Sequence, residues 1–312
     1  MSYTILSGGV GGAKLVAGFK TLLSSKELRV IINTADDFVH LGLNISPDID
    51  TLMYTLADIA NPATGWGIVD ETFNCMESLE SLNGETWFRL GDKDIATHLR
   101  RTELLNSGQT LSEVTATLAQ QLGVDIALIP MTNDTVATKV HSDAGVLAFQ
   151  DYFVRQQAKP VVEELVYAGS DTAAPSPAAR DALLNDELKA IVITPSNPYL
   201  SIDPILSVTG IRDGLSESTA PVIAVSPIVG GQALKGPTAK IMNELGLESS
   251  ALAIAKHYHG TIDGLIIDTA DAGLQSNIES LGIKVCVSNT VMTDITSKKD
   301  LAACITEFAA GF

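Results

Sequence analysis

The stretch "TILSGGVGGAKLVAGFK", Thr4 to Lys20, decides the fold. Tyr3 to Leu6 is a short apolar run that predicts a strand, Gly8, Gly9, Gly11 and Gly12 follow at once, and Lys14 to Leu23 carries a helical pattern. A strand, a glycine turn and a helix in that order aim backbone N–H groups and the positive end of a helix at one point, which favours an anion. The two familiar phosphate-loop spacings both fail. In G-x-G-x-x-G, counting from Gly9 and Gly11 puts Lys14 at the last glycine; in G-x-x-x-x-G-K-[ST], Gly8 leads to Ala13, Lys14 and Leu15. A phosphate is expected, and the rest of the chain must say whose.

Outward from this unit, short apolar runs alternate with helical patterns, the mark of a parallel sheet with crossover helices. Core strands are predicted at Tyr3 to Leu6, Arg29 to Asn33, Ile126 to Pro130, Ala190 to Thr194, Val222 to Ser226, Leu265 to Asp268 and Lys284 to Val287. Between Thr51 and Gln121 helical segments dominate, at Thr51 to Ala57, Thr72 to Leu82, Asp94 to Ser107 and Leu111 to Gln121. The expected fold is α/β: a Rossmann-like parallel sheet with flanking helices and a mainly helical insertion, about 51–125, after the second strand, all in one domain over 1–312. Thr138 to Val166, turning at Ser142 to Gly145, predicts a hairpin at an edge. "SDTAAPSPAARD", from Ser170 to Asp181, reads as a surface loop, with a helix start at Pro177 as the alternative.

Composition narrows the chemistry. The 312 residues are 46% hydrophobic and 18% charged, a globular balance. A net charge of −17, from 20 basic and 37 acidic residues, repels polyanions, so nucleic acid and anionic membranes are disfavoured as partners. A phosphorylated small molecule is compatible if local cations and Mg²⁺ neutralise it. Cys75, Cys286 and Cys304 form no C-x-x-C and are expected in the core of a protein from a reducing compartment. The chain runs directly into a strand, with no apolar run of membrane-spanning length, so a cytoplasmic protein is expected.

Ligands of open α/β sheets bind beyond the carboxyl ends of the strands. Four polar, glycine- or proline-rich segments fall there: "SGGVGGAK", "NTADDFVHLGLNISPDIDT", "PSNPYLSIDPIL" and "SPIVGGQALKGP". The second carries Asp36, Asp37, Asp48 and Asp50. In an extended segment Asp48 and Asp50 share a face and could meet one cation or one hydroxyl; alternatively Asp36 ends a turn and Asp48 caps a helix beginning near Thr51. A dinucleotide enzyme would place an acid at the end of the second strand, where Asn33 and Thr34 stand. "FRLGDKDIATHLRR", Phe88 to Arg101, gathers Arg89, Lys93, His98, Arg100 and Arg101. Arg89 precedes the helix and is the ligand candidate. Asp92 or Asp94 is expected to cap that helix, and Arg100 and Arg101 are expected to be solvated. His257 and His259 are expected to close a helix rather than hold a metal. Lys235 is open between a phosphate cation and a loop lysine.

With these segments in view, the sequence resembles the 2-phospholactate transferase family of coenzyme F420 biosynthesis. "LSGGVGGAKL", "NTADDF", "GLNISPDIDTLMYTLAD", "LGDKDIATH", "PMTNDTVATKV", "PSNPYLSIDPIL" and "SPIVGGQALKGP" follow in the family's order over nearly the whole chain. The resemblance implies transfer of the phospho-acyl part of a guanosine diphosphate adduct of a three-carbon acid to the ribityl hydroxyl of the deazaflavin Fo, releasing GMP and requiring Mg²⁺. It implies deazaflavin contacts at Asp50 and Arg89, and nucleotide contacts at Gly9, Gly11, Gly12, Lys14, Ser196 and Asn197. Mg²⁺ would fall to Asp37 and Asp50, with Asp50 also the catalytic candidate, as metal ligand or as base. A homodimer is expected. Asn133, where relatives often carry a second acid, departs from the pattern. The rival readings are a nucleotide-sugar-binding regulatory protein with the same glycine turn, and a nicotinamide oxidoreductase, which the broken fingerprint and Asn33 oppose.

Overall fold

A computed structural model describes residues 2–234 and 236–312; Met1 and Lys235 lie outside the described residues. Seven parallel strands make the central sheet: β1 (Ser2–Ser7), β2 (Leu28–Ile32), β3 (Ala127–Pro130), β4 (Leu188–Ile193), β5 (Val222–Val225), β6 (Gly264–Asp268) and β7 (Lys284–Ser288). Every predicted core strand takes its place in it. The order is β7-β6-β5-β4-β1-β2-β3, so the winding reverses between β1 and β4 and leaves a crevice at their carboxyl ends. Both faces are covered, which is why these strands are continuous apolar runs. Ile5, Val30 and Val192 face one core layer, while their neighbours Leu6, Ile31 and Ile193 face the other.

Helix α1 (Gly9–Lys20) begins five residues earlier than the pattern from Lys14 suggests, so most of the glycine turn is the first turn of the helix. Gly9 sits at φ +62°, a left-handed conformation that glycine adopts without a side-chain penalty. The helix packs against the C-terminal helix Ile295–Ala309, and a Cβ on Gly18 would lie 2.2 Å from the Lys298 carbonyl oxygen. Gly18→Ala is therefore expected to destabilise the protein by about 1–2 kcal/mol, overpacking outweighing the helix-propensity gain of about 1 kcal/mol. Chemical denaturation checks this; an unchanged midpoint would refute the close contact.

Between β2 and β3 the chain forms α2 (Pro47–Leu56), α3 (Asn74–Ser81), α4 (Asp92–Asn106) and α5 (Leu111–Gln121), together the helical insertion. Helix α2 starts at Pro47, not near Thr51, with proline in the first turn where its missing N–H is harmless. A small hairpin, Phe38–His40 with Leu43–Ile45, precedes it. Its turn uses Leu41 at φ 53° and Gly42 at φ 77°, and leucine there hides the usual Asn-Gly signal. The hairpin expected at Thr138 to Val166 is part of a separate three-stranded antiparallel sheet of Ala137–Ser142, Gly145–Ala148 and Val162–Ala168, not an edge of the main one. The expected surface loop at Ser170 to Asp181 instead contains a helix, Pro177–Leu183, whose Ser176 cap accepts from Ala179 N and whose Ala179, Ala182 and Leu183 are buried. Of the cysteines, Cys75 is exposed rather than in the core; Cys286 and Cys304 are partly buried with sulfurs 3.3 Å apart.

Candidate active site

A cavity of about 930 Å³ opens at the β1/β4 crevice and extends beneath the helical insertion. Gly9, Gly11 and Lys14 of α1, the Ser196–Asn197 pair after β4, and Asp50 and Arg89 of the insertion all line it. The four polar segments converge as the parallel sheet requires. Ser226 and Pro227, after β5, and Thr290 to Thr293, after β7, complete the end nearest the glycine turn.

Gly12 is placed differently: it is buried below the wall, and a Cβ there would lie 2.2 Å from Ser7 Oγ and 2.7 Å from Ser196 Oγ. Gly11 allows a similar approach, its would-be Cβ 2.8 Å from the Pro195 carbonyl. Ser196 is committed to the same junction, its hydroxyl donating to the Gly8 carbonyl and accepting from Gly8 N at 3.3 Å. Together these groups staple the turn after β1 to the turn after β4. Lys14 Nζ donates to the Met292 carbonyl at 2.9 Å, bridging α1 to the segment after β7.

Asp48 does cap a helix, but not its own. Its carboxylate accepts from Gly9 N at 2.7 Å, at the positive end of α1, and from Asn33 Nδ2 at 3.0 Å. Asn33, at the end of β2, also donates to the Leu200 carbonyl and accepts from Ala35 N, so it ties β2, α2 and the Asn197 segment together. Burial pushes the Asp48 carboxyl up to about 6 against the pull of these two hydrogen bonds. Asp36 is pushed well above the usual carboxylate range by burial and by the Asp48 charge; burial does the same to Asp37, opposed by the Ser46 hydroxyl, which donates to it at 2.7 Å. Asn197 Oδ1 accepts from Tyr199 N and Leu200 N, while its Nδ2 is buried without a partner.

Because α2 begins at Pro47, Asp48 and Asp50 lie on different sides of a helix and do not share a face. Asp50 turns to α4, where both its oxygens accept from the guanidinium of Arg101, NH1 at 3.1 Å and NH2 closer. Arg101, expected in solvent, is 1% exposed. Its neighbour Arg100 is the solvated one, paired with Glu103. Arg89 is exposed at the cavity wall with its guanidinium 4.3 Å from the centre of the Phe73 ring. Capping of the insertion helices also crosses over: Asp92 accepts from Asn74 N and Cys75 N and so caps α3, whereas Glu71 accepts from Lys93 N and Asp94 N and caps α4. Hydrogen bonds from Thr72, Cys75 and Asn74 hold the Asp92 carboxyl down at about 2.

Asp36 Oδ1 and Asp37 Oδ1 are buried without hydrogen-bond partners, the kind of oxygen a divalent cation uses. Asp36 lines the cavity and Asp37 does not. Among the described residues no three His, Cys, Asp or Glu side chains stand ready around one point, so a cation here would need substrate oxygens to complete its shell. Asn133 is exposed, accepting from Ser112 N and Oγ, away from the cavity. His257 ends the helix Ala251–His257 as expected, 2.9 Å from Asp203 Oδ1.

Residues 4–306 match the family model of 2-phospho-L-lactate transferase CofD. The chain belongs to that family. It is 38% identical to the phosphoenolpyruvate transferase of Streptomyces griseus over 99% of this chain and 98% of the relative. It is equally identical, at 38%, to the 2-phospho-L-lactate transferase of Methanocaldococcus jannaschii over 98% of this chain and 97% of the relative. A UPF0052-family protein of Bacillus halodurans has a similar fold, with a TM-score of 0.62 at 16% identity over 97% of this chain and 98% of that one. No helix among the described residues is long and apolar enough to cross a membrane.

In this CofD-family chain Asp50, Arg89 and Asn197 line one cavity. Missed from the sequence were Arg101 and Asn33, and the role of Asp48. For Arg101 a signal existed: Asp94, His98 and Arg101 are spaced four and three apart, one face of a helix.

Proposed function

We propose that the protein transfers a phospholactyl or phosphoenolpyruvyl group from a guanosine diphosphate adduct to the terminal ribityl hydroxyl of the deazaflavin Fo, forming a phosphodiester and releasing GMP. One observation carries this reading. A single cavity joins the anion-attracting end of α1 to a wall built from Asp50, Arg89, Trp66 and Phe88, so a diphosphate and a planar aromatic alcohol fit side by side.

On this reading the first turn of α1, beyond the Gly9 N–H that Asp48 takes, holds the diphosphate with Lys14, and the unpartnered Nδ2 of Asn197 donates to one of its oxygens. Phe88 and Trp66 flank the ring, and Arg89 stacks or pairs at its polar edge. Asp50 accepts the hydrogen bond of the ribityl hydroxyl and aims its oxygen at phosphorus. A primary alcohol is a weak nucleophile at neutral pH, so this alignment supplies much of the acceleration. Mg²⁺, held by Asp36 and Asp37 through their unpartnered oxygens rather than by Asp50, whose two oxygens Arg101 takes, would supply positive charge against the phosphoryl oxygens and the departing GMP. The expected assembly is a homodimer.

The test is direct: incubate the protein with Fo, Mg²⁺ and each guanosine adduct in turn, and weigh the product. A phosphodiester of Fo with one adduct, absent when Mg²⁺ is chelated and lowered at least about a hundredfold by Asp50→Asn, is expected. No product with any adduct, alongside tight binding of a nucleotide sugar, would reverse the reading in favour of a regulatory binding protein.

A further inference from the structure

The seam between α2 and α4 is polar, buried and almost fully paired. Helix α2 contributes Asp50 and Tyr54, one turn apart; α4 contributes Asp94, His98 and Arg101 from one face. Arg101 spans the seam, giving NH1 and NH2 to the two oxygens of Asp50. NH1 also lies 3.0 Å from His98 Nδ1. A guanidinium has no lone pair to offer, so His98 Nδ1 is the acceptor and the ring proton sits on Nε2, which faces Asp94 Oδ1 at 3.3 Å. The Tyr54 hydroxyl donates to that same Asp94 oxygen at 2.6 Å. Asp50, Tyr54, Asp94 and His98 reach the cavity surface, but Arg101 does not.

We propose that Arg101 is a positioning residue for the transfer: it touches neither substrate and acts by fixing the plane of the Asp50 carboxylate that receives the acceptor hydroxyl. The inference rests on the proposed function for the identity of that hydroxyl. Its physical basis is the fork. A carboxylate on a lone χ2 rotor presents its oxygens over a broad range of angles, whereas a bidentate guanidinium fixes both at once. A buried ion pair adds little net stability over apolar packing of the same volume, so direction, not stability, is what this pair contributes beside a cavity. Asp94 and His98 brace the guanidinium from the far side and connect it to the start of α4, just after Arg89.

Arg101→Lys retains the charge and loses the fork. In steady-state kinetics it is expected to raise KM for Fo or lower kcat by about tenfold or more, while KM for the guanosine donor stays within about twofold. In an Asp50→Asn background the same change should add nothing, because Arg101 acts through Asp50. Equal shifts for donor and acceptor, or full additivity with Asp50→Asn, overturns the proposal. Should Arg101→Lys fail to fold, Arg101→Gln, which keeps a donor to one Asp50 oxygen, takes its place in the cycle. A ligand-free crystal structure of the variant reads the same point without turnover: the Asp50 carboxylate should leave its present plane, and an unmoved Asp50 overturns the proposal. Absence of product from the unaltered protein would instead count against the reaction assigned above.

Discussion

The Asp48→Asn variant is expected to gain about 2–3 kcal/mol on the unaltered protein between pH 4 and pH 8, read as the change in their stability difference. The sign follows from the direction of the shift. Burial lifts the Asp48 carboxyl from 3.8 to about 6, so its neutral form is favoured in the folded chain. That contribution is complete below pH 4 and is lost as pH rises through about 6, where the folded protein must hold a desolvated charge. Asparagine never ionises, so the loss disappears with the substitution. Any fixed penalty, such as the new amide meeting Asn33 Nδ2, is the same at both ends of the range and drops out of the comparison. Asp36 feels the Asp48 charge, so the two titrate as a pair and the swing belongs to both. Thermal or urea unfolding of the two proteins at pH 4, 6 and 8 measures it; parallel stability profiles would show that Asp48 is not confined as described.

Gly12→Ala should cost about 3 kcal/mol, at the upper end for an added methyl in a packed interior, and should weaken donor binding by shifting the α1 turn. The methyl would meet Ser7 Oγ at 2.2 Å, Ser196 Oγ at 2.7 Å and Thr194 Oγ1 at 3.0 Å. The φ of Gly12 is not positive, so no backbone strain confuses the result. Ser7 Oγ is buried without a hydrogen-bond partner, and removing it costs little by itself. Adding Ser7→Ala to Gly12→Ala should therefore restore a measurable part of the lost stability. A Gly12→Ala protein with an unchanged unfolding midpoint and reduced nucleotide affinity would mean that this glycine faces the ligand after all.

The sheet was legible because a parallel strand buried on both faces can hardly be anything but an apolar run, and each of the seven showed as one. The cavity's position follows from the same reading, since the unusual segments all fall at strand ends. What local pattern could not supply were relations between elements. Of the two roles open to Asp48 in the sequence, a site shared with Asp50 or a helix cap, the structure has the cap, yet its partner is Gly9, thirty-nine residues away in sequence. Both Arg100 and Arg101 are expected in solvent, yet adjacent helical positions point apart, which requires the two to differ. The face shared by Asp94, His98 and Arg101 shows which of the two turns inward. The resemblance implies a nucleotide contact at Gly12; in the structure Gly12 is absent from the cavity wall, and the residues at the end of β4 come close enough to need a glycine there. Nothing in the sequence marks that approach.

The exchanged caps of the insertion have a mechanical meaning. Since the carboxylate that closes α3 is carried by the first residue of α4, and the one that closes α4 comes from the strap leading into α3, neither helix can fray without loosening the other. The roof over this part of the cavity should thus move as a single plate, with Arg89 riding on its rim.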